Sequence, residues 1–363
     1  MSEQMLSTNT EGLFKPFHLK NLELKNRFVM APMTRQHSPG NVPNQDNIDY
    51  YVRRAQGDVG LILTEGTSIG RSGSQHQRDV PRIYGTESLN GWKKVVDAVH
   101  QHGGKIAPQL WHVGLQTLNP KGYEDATVRL EGPSTMSVDD IHQTIEAFAH
   151  AALEAKKIGF DAIELHGAHG YLIDQFFYPV TNTRTDEYGG KTIGERNRFA
   201  VDVLKAVRKA VGPEMVVILR LSQFKPTDYD FQIAKNPGEL EEWLVPLAEA
   251  GADMLHMSAR RFWKPEFADS DLGLAGWAKK VTGLPIIAVG SVGLSGDFTA
   301  AFGGASSTKT DTSELVRRYE RGDFDLIAVG RSILNDPSWV KKIKEHRDAE
   351  LTDFSAAALG KYY

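Results

Sequence analysis

Residues 160–190 read FDAIELHGAHGYLIDQFFYPVTNTRTDEYGG. Ala162-Ile163-Glu164-Leu165 is a short apolar run with the length and alternation of a strand. It breaks into a glycine-rich turn that places His166, His169 and Tyr171 within six residues. Each imidazole can donate a hydrogen bond to one oxygen, and a nearby phenol can donate a proton. Thr183 to Glu187 then adds a polar turn with one arginine and two acids. Core packing asks for none of this. A strand that ends in such a turn points to an α/β fold with its chemistry at a strand end.

Outward from this unit, short apolar runs recur, each followed by Gly/Ser/Thr turns and a helical pattern. Strands are expected at Phe28–Pro32, Gly60–Thr64, Lys105–Leu110, Asp161–Leu165, Val216–Leu221, Met254–Met257, Ile286–Val289 and Leu326–Val329. Ile141, Ile145, Phe148, Ala149 and Ala152 share one face at helical spacing, and Ser137 with Asp140 is a capping pair at that helix's start. Glu195 to Val211 and Glu239 to Ala250 read as further helices, the second stopped by Gly251. Eight strands alternating with helices predict a single closed (β/α)8 barrel spanning 1–363, with its core near 26–345. A doubly wound sheet is the structural runner-up, but no GxGxxG opens a helix here. Before the first barrel strand, Leu13–Leu19 and Leu22–Leu24 alternate around Lys20-Asn21, which predicts a β-hairpin closing the barrel bottom. The long irregular stretches Val113–Thr135, Ser222–Pro237 and Ser291–Thr312 follow strands 3, 5 and 7, where functional loops belong.

Composition narrows the classes. The 42 basic and 46 acidic residues nearly balance, and no basic block suggests a nucleic-acid surface. The apolar runs are too short to span a bilayer, and the amino-terminal stretch lacks a basic-then-apolar leader, so a cytoplasmic protein is expected. Without cysteine there is no disulfide, thiolate nucleophile or cysteine-held iron–sulfur cluster.

The strand ends form an inventory. Strands 1 and 2 end in Met33-Thr34-Arg35 and Glu65-Gly66-Thr67, strand 3 in Gln109 to His112, and strand 5 in Arg220 and Ser222. Strand 6 leads to Ser258–Trp263, strand 7 to Gly290-Ser291, and strand 8 to Gly330-Arg331. Backbone N–H groups at the last two turns, with an arginine beside them, are the materials of a phosphate cradle.

Together HGAHGYLIDQFFYPVTNTRTDEYGG, KNRFVMAPMTR, QLWHVG and AVGRSILNDP resemble the Old Yellow Enzyme family, in order, from about Leu13 to about Pro337. The resemblance implies a flavin mononucleotide (FMN)-dependent ene-reductase that uses NADPH or NADH to reduce a small activated alkene. It places the flavin among Pro32, Met33, Thr34, Gly66, Gln109 and Arg220, and the phosphate at Gly290, Ser291, Gly330 and Arg331. It makes His166 and His169 the pair that holds the substrate oxygen, and Tyr171 the proton donor. Trp111 fits the family's substrate cavity; Phe262 and Trp263 are added to that wall as aromatics of the strand 6 loop. The Thr183–Gly190 run is expected to brace the strand 4 loop.

Two rivals come from other classes. A barrel glycosidase would use Glu65 and Glu164 as paired carboxylates. A non-catalytic flavin-binding protein would keep the cofactor without turnover. The HxxH of His166 and His169 is a poor metal motif here, because strand 1 ends in APMTR rather than HxH, and no metal is expected. Whether the chain is a monomer or homo-oligomer stays open; Lys361-Tyr362-Tyr363 is an expected contact for a neighbouring copy.

Overall fold

In the computed structural model the described residues are 9–75, 77–116, 129–226, 228–296, 300–301 and 303–363. Two short antiparallel strands, β1 (Phe17–Leu19) and β2 (Leu22–Leu24), pair across Lys20-Asn21. Eight parallel strands follow: β3 (Phe28–Met30), β4 (Leu61–Ser68), β5 (Ile106–Trp111), β6 (Ala162–Gly167), β7 (Val216–Ser222), β8 (Met254–Ser258), β9 (Ile286–Val289) and β10 (Leu326–Val329). They close in sequence order, β10 pairing with β3, so the expected (β/α)8 barrel with its hairpin is what forms.

The barrel interior follows from the period of two. Along β6, β7 and β8 the inward positions start as Ala162, Val216 with Ile218, and Met254. The hairpin's Phe17, Leu22 and Leu24 join the same apolar cluster and seal the amino-terminal end. Two residues further on, the same parity presents Glu164, Arg220 and His256, then His166 and Ser258. One alternation therefore yields an apolar floor and a polar mouth.

Helices cover the outside. The Ser137 and Asp140 pair caps the helix Val138–Ile158: the Asp140 N–H donates to Ser137 Oγ at 3.0 Å and the Ser137 N–H returns to Asp140 Oδ2 at 2.9 Å. The helix expected over 195–211 is two pieces, Ile193–Arg196 and Arg198–Val211. Asn197 divides them, and its side-chain amide donates to the carbonyls of Glu242 and Trp243 at 3.2 and 2.9 Å. The next helix runs Pro237–Glu249, close to expectation. No helix among the described residues is long and apolar enough to cross a membrane.

β4 departs most from the sequence reading, continuing through Glu65, Gly66 and Thr67 to Ser68. Its register against β5 shifts between Leu63 and Gly66. The hydroxyls of Thr64 and Thr67 donate to the Glu65 carbonyl at 2.8 and 2.9 Å, and Thr64 Oγ1 accepts the Gln109 N–H at 3.1 Å. Side-chain hydroxyls replace ladder partners there, so the strand bulges and carries on.

Candidate active site

The turn after β6 sets the geometry. His169 and Gly170 both have left-handed backbone, with φ of 61° and 76°. A histidine pays about 1–2 kcal/mol there, so its surroundings must hold it. The His169 N–H donates to Ser222 Oγ at 3.0 Å and the Gly170 N–H to Asp174 Oδ2 at 2.6 Å. The Gly170 carbonyl accepts from the amides of Gln175 and Gln116 at 2.7 and 3.0 Å. Asp174 is itself buried against Lys225, at 2.7 and 2.8 Å.

That turn brings the three expected side chains together. The His166 ring lies 4.8 Å from Tyr171 and 5.4 Å from His169, both edge-on. Tyr171 meets Trp111 edge to face at 5.0 Å. The indole requires Gly66: a Cβ on that residue would stand 2.7 Å from Trp111 Cε3. His169 continues into Phe224 at 5.6 Å and Phe224 into Tyr229 at 5.5 Å. His169 Nε2 lies 2.8 Å from Ser258 Oγ. Sequence reasoning assigned no part to Ser222 or Ser258, although both sit where the strand-end inventory points.

Electrostatics fix the protonation states. Burial, then the charge of Arg220, holds His166 and His169 well below the ordinary histidine value, so both are neutral at pH 7. The Ala168 N–H donates to His166 Nδ1 at 3.4 Å, which leaves the proton on Nε2 as a donor. Burial pushes the Tyr171 phenol up to about 12, with Arg220 opposing. Below the mouth, Glu164 accepts from Gln109 at 2.8 Å and pairs with His256 Nδ1 at 2.6 Å. The Arg220 side chain has no ion-pair or hydrogen-bond partner among the described residues, and its Nε is buried. Burial draws the guanidinium down from the arginine norm while Glu164 holds it up.

The flavin positions expected on the first two strand ends also reach the mouth. Thr34 is exposed there, with Pro32 and Met33 half-buried before it. Met33 Sδ comes within 3.7 Å of where a Cβ on Gly330 would stand, so the first and last strand ends touch. Ser291, at φ 54°, donates to the carbonyl oxygens of Arg260 and Gly296 at 2.9 and 3.0 Å. Arg331 Nη2 donates to the same Gly296 oxygen at 2.5 Å, so the turns after β9 and β10 converge. Phe262 and Trp263 line a cavity of about 180 Å³ with Gly293, Thr310–Thr312, Glu314 and Leu315, and the Phe262 N–H donates to the Gly290 carbonyl at 3.1 Å. The 183–190 turn, expected to brace the loop after β6, reaches the segment after β5: Arg184 donates to the carbonyls of Pro133 and Met136 at 2.7 and 2.6 Å. Much of the loop that it clamps, 117–128, lies outside the described residues.

The sequence matches the NADH:flavin oxidoreductase / NADH oxidase family over residues 12–350. The chain belongs to this family. It is thus of the Old Yellow Enzyme kind, whose members are FMN-dependent NAD(P)H oxidoreductases. Among relatives, a 12-oxophytodienoate reductase 7 of Oryza sativa subsp. japonica is 33% identical over 92% of this chain and 87% of its own. An NADH oxidase of Thermoanaerobacter brockii is 32% identical over 97% of this chain, which spans about half of that relative's length (54%). Morphinone reductase, solved in complex with tetrahydroNAD, superposes with a TM-score of 0.76 at 28% identity, covering 97% of each chain.

The residues at the mouth fit the family's FMN. Among the described residues Arg220 Nε and Trp111 Nε1 are buried donors without acceptors, and no carboxylate hydrogen-bonds the Arg220 guanidinium. An acceptor-rich ring system that gains negative charge on reduction is what such a donor set suits. The glycosidase reading loses its carboxylates. Glu164 is fully buried with both oxygens engaged, and Glu65 Oε2 accepts the Arg35 and Gln36 N–H groups at 2.9 and 3.2 Å.

Proposed function

We propose that the chain reduces the activated C=C bond of α,β-unsaturated carbonyl or nitro compounds with NAD(P)H, in two half-reactions that share one site. The grouping of His166, His169 and Tyr171 beside an unpaired Arg220 carries this reading. Bound FMN supplies the hydride carrier between the nicotinamide and the alkene.

This chain's own groups supply the rest. Pro32, Met33, Thr34, Gly66, Gln109 and Arg220 would hold the ring, and Gly290, Ser291, Gly330 and Arg331 the phosphate. His166 offers Nε2–H to the substrate's carbonyl or nitro oxygen. His169 joins by turning its Nε2–H from Ser258 Oγ to that oxygen as a second hydrogen-bond donor. Two neutral donors near a fixed cation stabilise the negative charge that grows on the oxygen as the β-carbon is reduced. Tyr171 keeps its proton at neutral pH because burial raises it to about 12, and it delivers that proton to the α-carbon as general acid. Trp111 and Tyr171 wall the cavity and exclude water.

An anaerobic visible spectrum tests the reading. The purified protein is expected to show a flavin band that bleaches with NADPH and returns on adding 2-cyclohexenone. A band that bleaches and stays bleached would remove the alkene chemistry and leave a flavin reductase. A flavin band that NADPH and NADH leave unchanged would favour a non-catalytic flavin-binding protein. A protein that remains colourless after FMN is added would refute the whole assignment.

A further inference from the structure

Lys361-Tyr362-Tyr363, expected on a neighbouring copy, packs on its own chain beside the mouth, together with Leu359. The Tyr362 ring lies flat between His37 and Tyr50, with centroids at 4.1 and 4.5 Å and planes 4° and 7° apart. Its hydroxyl accepts from Asn47 Nδ2 at 2.7 Å. Tyr363 lies under the Arg53 guanidinium at 4.5 Å.

Arg35 ties this stack to the barrel. Its Nη2 donates to the carbonyls of Leu359 and Lys361 at 3.1 and 2.5 Å, and its guanidinium lies 5.8 Å from the Tyr50 ring and 5.9 Å from the Tyr362 ring. The backbone N–H groups of Arg35 and Gln36 donate to Glu65 Oε2. Gln36 has a left-handed φ of 58°, a conformation that its neighbours must hold. The Glu65 N–H donates to Tyr51 Oη at 3.0 Å. Arg35 follows Thr34, and Glu65 precedes Gly66, so two flavin-facing segments meet at one carboxylate beside the aromatic stack.

The nest is not built for stability alone. Arg35 Nε, Tyr50 Oη, Arg54 Nε and Glu65 Oε1 are all buried there without partners. Each unmet group costs roughly 1–3 kcal/mol that opening to water would return. A device that keeps backbone in place accounts for such a cluster better than a device that adds stability.

We propose that Leu359–Tyr363 is a clasp that positions the backbone of residues 32–36 and 65–67 for the flavin, with Arg35 as the positioning residue through which it acts. The role rests on the flavin function proposed above. Four proteins test it: the full chain, a chain ending at Ser355, Tyr362→Ala and Tyr362→Phe. FMN affinity is read from quenching of flavin fluorescence, and amide hydrogen exchange at 32–36 and 65–67 is read on FMN-free protein. Truncation and Tyr362→Ala are expected to raise the FMN Kd roughly tenfold, the equivalent of about 1.4 kcal/mol. They should speed exchange in those two segments while β6 to β8 keep theirs. Tyr362→Phe preserves the stack and should restore both readouts. Unchanged Kd and exchange would overturn the clasp, and so would exchange that quickens evenly across the barrel. If the full chain takes up no FMN, the proposed function fails and this role with it. If all four proteins bind FMN equally, the clasp alone fails.

Discussion

The two ends of the barrel interior share the same strands and the same alternation, yet they do opposite work. At the floor, Ala162, Val216, Ile218 and Met254 are sealed by Phe17, Leu22 and Leu24 of the hairpin. One step up the same strands stand Glu164, Arg220 and His256, and another step brings His166 and Ser258. The apolar layer stabilises by burial and has no chemistry. The polar layer leaves the Arg220 side chain unpaired among the described residues and buries two neutral histidines beside it, which makes a site at a cost in stability. Separating the two along one strand lets the mouth carry strain while the floor keeps the barrel closed.

Mutations should divide along that line. The largest effect is expected from Tyr171→Phe in the upper layer. Alkene-dependent reoxidation of the reduced enzyme should slow by roughly 10²–10⁴-fold in stopped flow, with reduction by NADPH and the melting midpoint unchanged. Equal slowing of both half-reactions would mean that Tyr171 is not the proton donor. Ile218→Ala, two residues below Arg220, should show the converse. It should lose about 2–5 kcal/mol in urea unfolding, with near-normal rates in the folded fraction. A selective loss of rate there would show that the layers are not separable.

Glu65→Gln sharpens the comparison by pH. Burial raises this carboxyl to about 7, above the ordinary 4.5, against the pull of the Arg35 and Gln36 N–H groups. The folded state therefore prefers the protonated form. The stability that this proton brings is complete below about pH 4.5 and is lost as pH rises through about 7. The variant lacks that loss and should gain on the full chain between pH 5 and pH 8, by about 3 kcal/mol at most. Parallel stability curves would refute the assignment. Ser258→Ala is the smallest expected change, about 1 kcal/mol: His169 no longer gives up a hydrogen bond to Ser258 when it turns to the alkene oxygen, so KM for the alkene should fall modestly. A changed rate of flavin reduction with KM unmoved would place Ser258 outside substrate binding.

The alternation of each strand, the turn residues after it and the capping pair at Ser137 and Asp140 are local, so they are legible in a linear reading. The His166, His169 and Tyr171 group is legible for the same reason: one turn carries all three. The β4 bulge was not, because it depends on Thr64 meeting the Gln109 N–H, 45 residues away. Nor was the cavity that Phe262 and Trp263 line with Gly293 and Thr310, because its walls come from distant parts of the chain.

By itself the sequence determined the eight β/α units, the closing hairpin and the residues of the chemical turn, since each follows from periodicity or from neighbours within a few positions. Only the tertiary structure decided which polar groups would be satisfied and which left over. Glu164 takes Gln109 and His256 from 55 and 92 residues away, and Tyr362 takes Asn47 from 315 away. Those pairings exist because closing the barrel brings distant strand ends into one low-dielectric space, where each buried group must find whatever partner geometry supplies. Arg220 found none.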